Sequence, residues 1–118
     1  MQNEFEQKLS QLKSLQEEAS SLYSTRTKLL GQLTENEMVL DEFKLLEEDA
    51  KIYKLSGPTL LPQDLEESKA MVSSRISYIK NELESLEKKL KEYSDKEKSL
   101  TERLQAIQAA AQKHRSNF

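Results

Sequence analysis

A 3.5-residue repeat of apolar side chains in the second half of the chain constrains the fold more than any other feature. Its steps alternate between four and three residues, and Glu97 is its one charged member. The members of this second seam are Val72, Ile76, Ile79, Leu83, Leu86, Leu90, Tyr93, Glu97, Leu100, Leu104, Ile107 and Ala111. A period of about 3.5 residues held this long is typical of a helix that supercoils around another helix.

The first half of the chain carries a matching repeat, which we call the first seam. Its members are Phe5, Leu9, Leu12, Leu15, Ala19, Leu22, Arg26, Leu29, Leu33, Asn36, Leu40 and Phe43. The step from Leu12 to Leu15 is three residues where four is due, which is a stammer that locally overwinds a coiled coil. Arg26 and Asn36 are polar members, and such residues usually fix helix register at some cost in stability.

The two seams predict two helices of similar length, over about residues 2–48 and 64–114. Each would be roughly 70 Å long at the helical rise of ~1.5 Å per residue. Similar lengths favour an antiparallel hairpin of helices, which places Phe5 near Ile107 and Leu12 near Leu100. Asp64 and Glu67 have the spacing of a capping box at the start of the second helix. A parallel homodimer of one continuous helix is the alternative.

The middle of the chain argues against a continuous helix, because helical periodicity stops there. Gly57 supplies the positive φ of the first central position of a type II′ turn, and Pro58 suits the second position. We therefore predict a β-hairpin over about residues 51–61, with strands Ile52–Leu55 and Thr59–Leu61. Pro62 is expected to end the second strand, because proline cannot donate to a ladder.

This short hairpin is the feature from which assembly is predicted. A two-stranded ribbon alone is marginal in water, and exposed strand edges invite pairing with another chain. We expect the hairpins of several subunits to join into a shared sheet or barrel. The residues assigned to assembly are Ile52, Tyr53, Leu55, Gly57, Pro58, Leu60 and Leu61. A simple loop that caps the two helices is the alternative.

Composition excludes several functional classes. The chain has no cysteine, its single histidine is His114, and its two glycines cannot build a phosphate-binding loop. We therefore expect no enzymatic activity, no metal site and no cofactor. The net charge is −3, with both signs interleaved, so no basic stripe for nucleic acid exists. No apolar run exceeds three residues, and the N-terminus lacks the features of a signal peptide, so we expect no membrane span and a cytoplasmic protein.

Three blocks of sequence resemble a known family. Residues 32–36 read QLTEN, residues 52–62 read IYKLSGPTLLP, and residues 75–79 read RISYI. Together they resemble the β-class subunits of the prefoldin family, and the resemblance extends over roughly residues 5–110. The blocks in and around the hairpin are fairly specific, whereas the coiled-coil stretches alone would match many proteins.

The resemblance implies a hetero-hexamer of α-class and β-class subunits, whose hairpins form a β-barrel platform that carries the coiled coils. It further implies a chaperone that captures unfolded proteins, such as actin and tubulin. The captured chains pass to the cytosolic group II chaperonin without use of ATP. A structural coiled-coil adaptor or spacer that binds one specific partner is the alternative function. A helical arm that binds nucleic acid is disfavoured by the acidic balance of the chain.

If the chain grips unfolded proteins, the free ends of the two helices are where we expect contact. Small alanine side chains there pack loosely, which leaves the larger side chains that face them partly open. The predicted client-binding residues are Phe5, Leu9, Leu12, Ile107 and Ala110. Several weakly binding arms on one client raise the effective affinity. Ordinary packing of the seam is the alternative role for these residues.

Overall fold

The computed structural model describes residues 2–47 and 50–116. Helix α1 is Gln2–Lys44, strand β1 is Ile52–Ser56, strand β2 is Thr59–Gln63, and helix α2 is Leu65–Ser116. The strands form one antiparallel two-stranded sheet. These elements confirm the predicted fold class, which is mainly α with two long antiparallel helices and one β-hairpin at their connection.

The chain forms two compact units. One holds the described residues of Met1–Thr25 and Ser85–Phe118, and the other holds those of Arg26–Glu84. We call them the terminal unit and the hairpin unit. The organisation of the whole chain as a single domain stays a prediction.

Burial follows the two seams. Every member of the first seam is half-buried, and every member of the second seam is buried or half-buried. The fully buried apolar residues among those described are Leu65, Val72, Ile76, Ile79, Leu86, Leu90, Leu104 and Ile107. The core is thus a narrow apolar strip along each helix, as the 3.5-residue period predicts.

Side-chain pairs join the helices within the terminal unit. They include Glu4 with Arg103, Gln16 with Glu97, and Glu18 with Tyr93. Residue numbers rise along α1 as they fall along α2, so the helices run antiparallel here. The pairs confirm the predicted direction of packing within this unit.

The stammer in the first seam has a visible consequence. Leu15 is half-buried, while Gln16, which an unbroken repeat would place in the seam, is exposed. The Nε2 group of Gln16 donates a hydrogen bond to Glu97 Oε1 at 3.3 Å. The charged member of the second seam therefore has a polar partner at the point where the first seam slips.

The end of α1 differs from the prediction. The helix ends at Lys44 rather than near residue 48, and the amides of the next two residues donate to carbonyls only three residues back, both at 3.2 Å. Phe43 is the last seam residue, so a longer helix gains no core contact. The sequence then turns acidic over residues 47–49, and negative charge is unfavourable at a helix C-terminus. Glu48 itself lies outside the described residues.

The start of α2 contains the N-cap half of the predicted capping box. Asp64 Oδ1 accepts a hydrogen bond from the backbone N–H of Glu67 at 2.9 Å, and the Asp64 carbonyl accepts one from the N–H of Ser68 at 3.0 Å. Asp64 is therefore the N-cap residue, one position before the helix begins at Leu65. This cap fixes where the hairpin gives way to the helix.

Candidate protein-interaction surface on the hairpin

The turn of the hairpin has the predicted chemistry. Ser56 pairs with Thr59, which leaves Gly57 and Pro58 as a two-residue loop. Gly57 has a φ of 59°, and no other described residue has a positive φ. A type I′ turn needs positive φ at both central positions, which proline forbids. The loop is therefore a type II′ turn, whose twist matches that of the two strands.

The register of the strands decides which backbone groups face outward. The Ser56–Thr59 pair closes the two-residue loop, so it is a hydrogen-bonded pair. Such pairs alternate with non-hydrogen-bonded pairs along an antiparallel ladder. The Leu55–Leu60 and Tyr53–Pro62 pairs are therefore of the non-hydrogen-bonded kind.

This register corrects the expectation for Pro62. The residue does not end β2, which continues to Gln63 and pairs there with Ile52. In a non-hydrogen-bonded pair the backbone nitrogen points away from the partner strand. The hairpin therefore loses no hydrogen bond by having proline at this position. The prediction was wrong because it considered the missing N–H without its direction.

The two faces of the hairpin differ in polarity. Side chains alternate between faces along each strand, so Tyr53, Leu55, Leu60 and Pro62 share one face, which we call the apolar face. Tyr53 is 56% exposed, Leu55 is 69% exposed and Leu60 is 62% exposed. The other face is mixed in polarity and carries Ile52, Lys54, Ser56, Thr59, Leu61 and Gln63.

The seven residues that the sequence assigns to assembly lie in three different places on the hairpin. Tyr53, Leu55 and Leu60 come together on the apolar face. Ile52, which is half-buried, and Leu61, which is 44% exposed, point to the opposite face. The two remaining assigned residues form the turn. The involvement of all seven in assembly stays a prediction.

Pro62 belongs to this surface although it is not among the residues predicted for assembly. A period-two pattern starting at Leu60 would have found it, because residues 60 and 62 must share a face of any strand that contains both. The strand predicted from the sequence stops at Leu61, so the proline falls outside it. The apolar face therefore includes one residue, Pro62, that the sequence did not assign to assembly.

Exposed apolar side chains concentrate in the hairpin unit. Among the described residues, every large hydrophobic side chain that is exposed lies in this unit except Tyr23. The members in the hairpin unit are Leu30, Met38, Val39, Leu45, Leu46, Tyr53, Leu55, Leu60, Leu61, Met71 and Tyr78. Met71 and Tyr78 are one heptad apart and so lie on the same face of α2. Exposed patches of this kind mark surfaces that contact other proteins.

The predicted client-binding residues are less accessible. Phe5, Leu9 and Leu12 are half-buried, Ile107 is only 6% exposed, and Ala110 alone is exposed. Their side chains are thus largely occupied by packing between the helices in the terminal unit. Client binding by these residues stays a prediction, and it requires the helix ends to separate.

One tyrosine in the terminal unit has a perturbed pKa. A hydrogen bond between Tyr93 and the Glu18 carboxylate raises the pKa of Tyr93 above its ordinary value of 10.0, with smaller contributions from burial and from the charges of Glu18 and Glu92. The Nζ atom of Lys96 lies 5.8 Å from the centroid of the Tyr93 ring. Tyr93 thus links α2 to α1 through a hydrogen bond that exists only while the tyrosine hydroxyl is protonated.

Within the part of the chain that the structure describes, no three acidic, histidine or cysteine side chains come together as metal ligands. Over the same residues, neither helix contains a stretch apolar enough to cross a bilayer. The exposed apolar face of the hairpin is the surface that we take as the candidate site for recognition.

Comparison with known proteins identifies the family of this chain. A family model described as prefoldin subunit matches residues 6–113. The chain belongs to the prefoldin family. Prefoldin subunit 6 of Arabidopsis thaliana is 42% identical over 120 aligned residues, covering 96% of this chain and 93% of the relative. Prefoldin subunit 6 of Homo sapiens is 33% identical, covering 96% of this chain and 88% of the relative.

Solved prefoldin structures have the same fold. The crystal structure of the prefoldin beta subunit from Thermococcus strain KS-1 matches with a TM-score of 0.81 and 28% identity, covering 88% of this chain and 91% of that chain. The beta2 subunit from the same source matches with a TM-score of 0.65 and 21% identity, which supports the fold alone. These matches confirm the resemblance to β-class prefoldin subunits. Membership in the family makes this chain a prefoldin co-chaperone subunit whose partners are other prefoldin subunits.

Proposed function

We propose that this chain is one subunit of an ATP-independent hetero-hexameric co-chaperone in the cytoplasm. The complex captures unfolded proteins, including actin and tubulin, and delivers them to a group II chaperonin. The observation that carries the proposal is the exposed apolar face of the hairpin in a chain of the prefoldin family. Leu55 and Leu60, at 69% and 62% exposure, have no role in the core of the chain itself.

The apolar face gives a physical reason for assembly. Fully burying an apolar side chain contributes about 1.5–3 kcal/mol. Tyr53, Leu55 and Leu60 are each more than half exposed, so most of this contribution is still available to a partner. Two strands alone are marginal, and three or more with a hydrophobic face are needed for independent stability. Hairpins from α-class and β-class subunits that pack their apolar faces together meet both requirements.

Client capture is assigned to the ends of the helices in the terminal unit. Phe5, Leu9 and Leu12 already present part of their surface, and Ile107 becomes available when the ends separate. The ion pair between Glu4 and Arg103 lies at this end and is partly exposed. Exposed ion pairs contribute only about 0–1 kcal/mol, so the main cost of separation is the exposure of Ile107, which a client offsets by burying that side chain again. Weak contacts from several subunits on one client give useful affinity and still permit release.

The deciding experiment is co-expression of this chain with α-class and β-class prefoldin subunits. Native mass spectrometry should show a hetero-hexamer that contains the chain. The purified complex should slow aggregation of denatured actin without ATP, and adding a group II chaperonin should transfer the bound actin. A homodimer that binds one folded partner and leaves actin aggregation unchanged would instead support the structural adaptor.

A further inference from the structure

We propose that one side of the helices in the hairpin unit is a docking face for a basic amphipathic helix of a protein outside the prefoldin complex. Its apolar members are Val39 in α1, Leu46 just after α1, and Met71 and Tyr78 in α2. Their exposures are 37%, 39%, 52% and 64%. We call this surface the flanking face. It includes neither the strands of the hairpin nor the residues assigned to client binding, so the inference goes beyond the proposed function.

The seams place both helices' contributions on the same side. Val39 directly precedes the seam residue Leu40, and Arg75 directly precedes the seam residue Ile76, in each case at the end of a four-residue step. These two positions therefore border the seam on the same flank of each helix. Two antiparallel helices are related by a two-fold axis across the seam, so equal flanks meet. Val39 and Arg75 thus border one groove between the helices.

The remaining apolar members follow from helical spacing. Side chains at i and i+4 lie on the same face of a helix, so Met71 lies beside Arg75. Tyr78 is one heptad after Met71, and Leu46 is one heptad after Val39. The N–H of Leu46 donates to a carbonyl three residues back at 3.2 Å, which continues the turn beyond the end of α1. The flanking face therefore has an apolar row on each side of the groove.

The apolar character of these positions is local. Flanking positions of a coiled coil often carry charged residues that pair between the helices. In the terminal unit, the same positions of α2 are polar from residue 85 to residue 103, and Arg103 forms an ion pair with Glu4. They are Ser85, Lys89, Glu92, Lys96, Ser99 and Arg103. The coiled coil itself thus does not need apolar residues there, and exposed apolar patches mark surfaces that contact other proteins.

The rim of the flanking face is acidic. Glu35 and Glu42 lie four residues before its two members from the first half of the chain, and both are exposed. Within the part of the chain that the structure describes, neither carboxylate forms an ion pair. On the α2 side the charges of Arg75 and Glu82 balance each other. The surroundings of the apolar rows are therefore negative overall.

These features together favour a basic amphipathic helix as the occupant. A groove between two apolar rows accepts a helix through apolar side chains spaced at i, i+3, i+4 and i+7. Methionine adapts its shape to such partners. Lysine or arginine beside that apolar stripe complements Glu35 and Glu42. An unfolded client and a neighbouring prefoldin subunit are the other occupants to consider, and the experiment separates them.

Two designed helical peptides are the probes. Both carry leucines at the spacing above, and one has lysines and the other glutamates beside the leucine stripe. The lysine peptide should bind the free full-length chain about tenfold more tightly than the glutamate peptide. Isothermal titration calorimetry measures both affinities.

Met71 and Met38 provide matched variants that locate the binding. Met38 is 59% exposed, close to the 52% of Met71. It lies midway between the seam residues Asn36 and Leu40, on the side of α1 that faces away from the seam. Met71→Gln should weaken binding of the lysine peptide by about tenfold, because an apolar contact is lost. Met38→Gln should stay within about twofold of the wild-type chain.

Reversal of the rim charge is the second test. A chain with both Glu35→Lys and Glu42→Lys should bind the glutamate peptide more tightly than the lysine peptide. Glu42 lies in the last turn of α1, where a positive charge is favourable, so this variant should remain folded. The lysine peptide should also bind the co-expressed prefoldin complex, and an excess of denatured actin should not displace it.

Several results would overturn the proposal. Equal affinity of the two peptides, or equal effects of Met71→Gln and Met38→Gln, would show that the flanking face does not recognise a basic helix. Binding to the free chain but not to the complex would show that a neighbouring subunit covers the face. Displacement by denatured actin would show that the face holds clients. Failure of the complex to form contradicts the proposed function alone, because the peptide measurements on the free chain do not require it.

Discussion

Glu4 Oε1 accepts a hydrogen bond from Arg103 Nε at 2.8 Å and lies 2.6 Å from Nη2 of the same guanidinium. The pair joins the first turn of α1 to α2 across 99 residues of sequence. Arg103 lies one helical turn before Ile107, whose side chain is buried. The ion pair therefore ties the two helices together one turn away from an apolar residue that we assign to client binding.

Removing this ion pair should open the helix ends. We expect Arg103→Gln to lower the free energy of unfolding by no more than about 1 kcal/mol, because the pair is partly exposed. The assembled complex should then hold denatured actin more strongly, since Ile107 becomes accessible. Urea unfolding and an aggregation assay measure the two effects.

The matched control for this variant is Lys69→Gln. It removes the ion pair with Glu66 on α2, a pair in the hairpin unit. Its effect on stability should be similar or smaller, at about 0.2–0.5 kcal/mol, with no gain in client holding. Equal client holding by both variants and the wild-type complex would argue against an opening role for the pair.

Trimming the helix ends tests the client-binding assignment more directly. A chain without residues 1–12 and 105–118 loses the first three seam members of α1 and Ile107 of α2. The hexamer should still form, because the hairpin is intact, while suppression of actin aggregation should be lost. Unchanged suppression by the trimmed complex would move client binding to another surface, such as the exposed Met71 and Tyr78 of α2.

Stability should fall at high pH because of Tyr93. Its hydrogen bond with Glu18 raises the pKa of Tyr93, so the folded state favours the protonated tyrosine. The stabilising contribution is therefore complete below the ordinary pKa of 10.0 and is lost as the pH rises through the raised value. Thermal unfolding of the wild-type chain should decline above about pH 10 more steeply than that of Tyr93→Phe. Tyr78→Phe, which changes an exposed tyrosine of α2, is the control and should retain the wild-type slope.

The two glycines should respond to alanine in opposite directions. Gly57 has a φ of 59°, where an L side chain is strained although open space surrounds it. Gly57→Ala should destabilise the hairpin by about 1–2 kcal/mol. Gly31 lies in α1 with no neighbour near its added Cβ, so Gly31→Ala should stabilise the helix by about 0.5–1 kcal/mol. Thermal unfolding followed by circular dichroism measures both stability changes, and the assembly assay shows whether either variant still forms the complex. Loss of assembly in Gly31→Ala would contradict the prediction.

Neighbouring leucines on β2 test the two faces of the hairpin. Leu60→Glu places a carboxylate on the apolar face, which should prevent assembly while leaving a folded helical chain. Leu61→Glu places it on the mixed face opposite Lys54, where an opposite charge is favourable. Light scattering should therefore show a hexamer for the second variant and not for the first. Comparable loss in both variants would mean that the mixed face is also buried in the assembly.

Local sequence patterns predicted most of the fold. The 3.5-residue period was enough to predict the buried positions of both seams, because burial in a two-helix coil follows position along each helix. Gly57 and Pro58 predicted their turn because each restricts its own φ. The N-cap at Asp64 likewise depends on residues within one helical turn.

The features that were missed depend on partners distant in sequence. The direction of the Pro62 nitrogen follows from its pairing with Tyr53, which a single strand does not reveal. The contact between Gln16 and Glu97 depends on how a stammer in one helix aligns with the other helix. Ile107, one of the predicted client-binding residues, is buried because the two helix ends pack together. The nearby alanines, from which loose packing was predicted, do not by themselves determine whether the ends pack.

The register of Pro62 also bears on how this chain behaves at high concentration. The Pro62 nitrogen points away from Tyr53 but carries no hydrogen, so a strand of another copy laid along β2 would find one donor missing. A bare hairpin with exposed leucines risks fibril formation by repeated strand addition, and an outward-facing proline on an edge strand works against that growth.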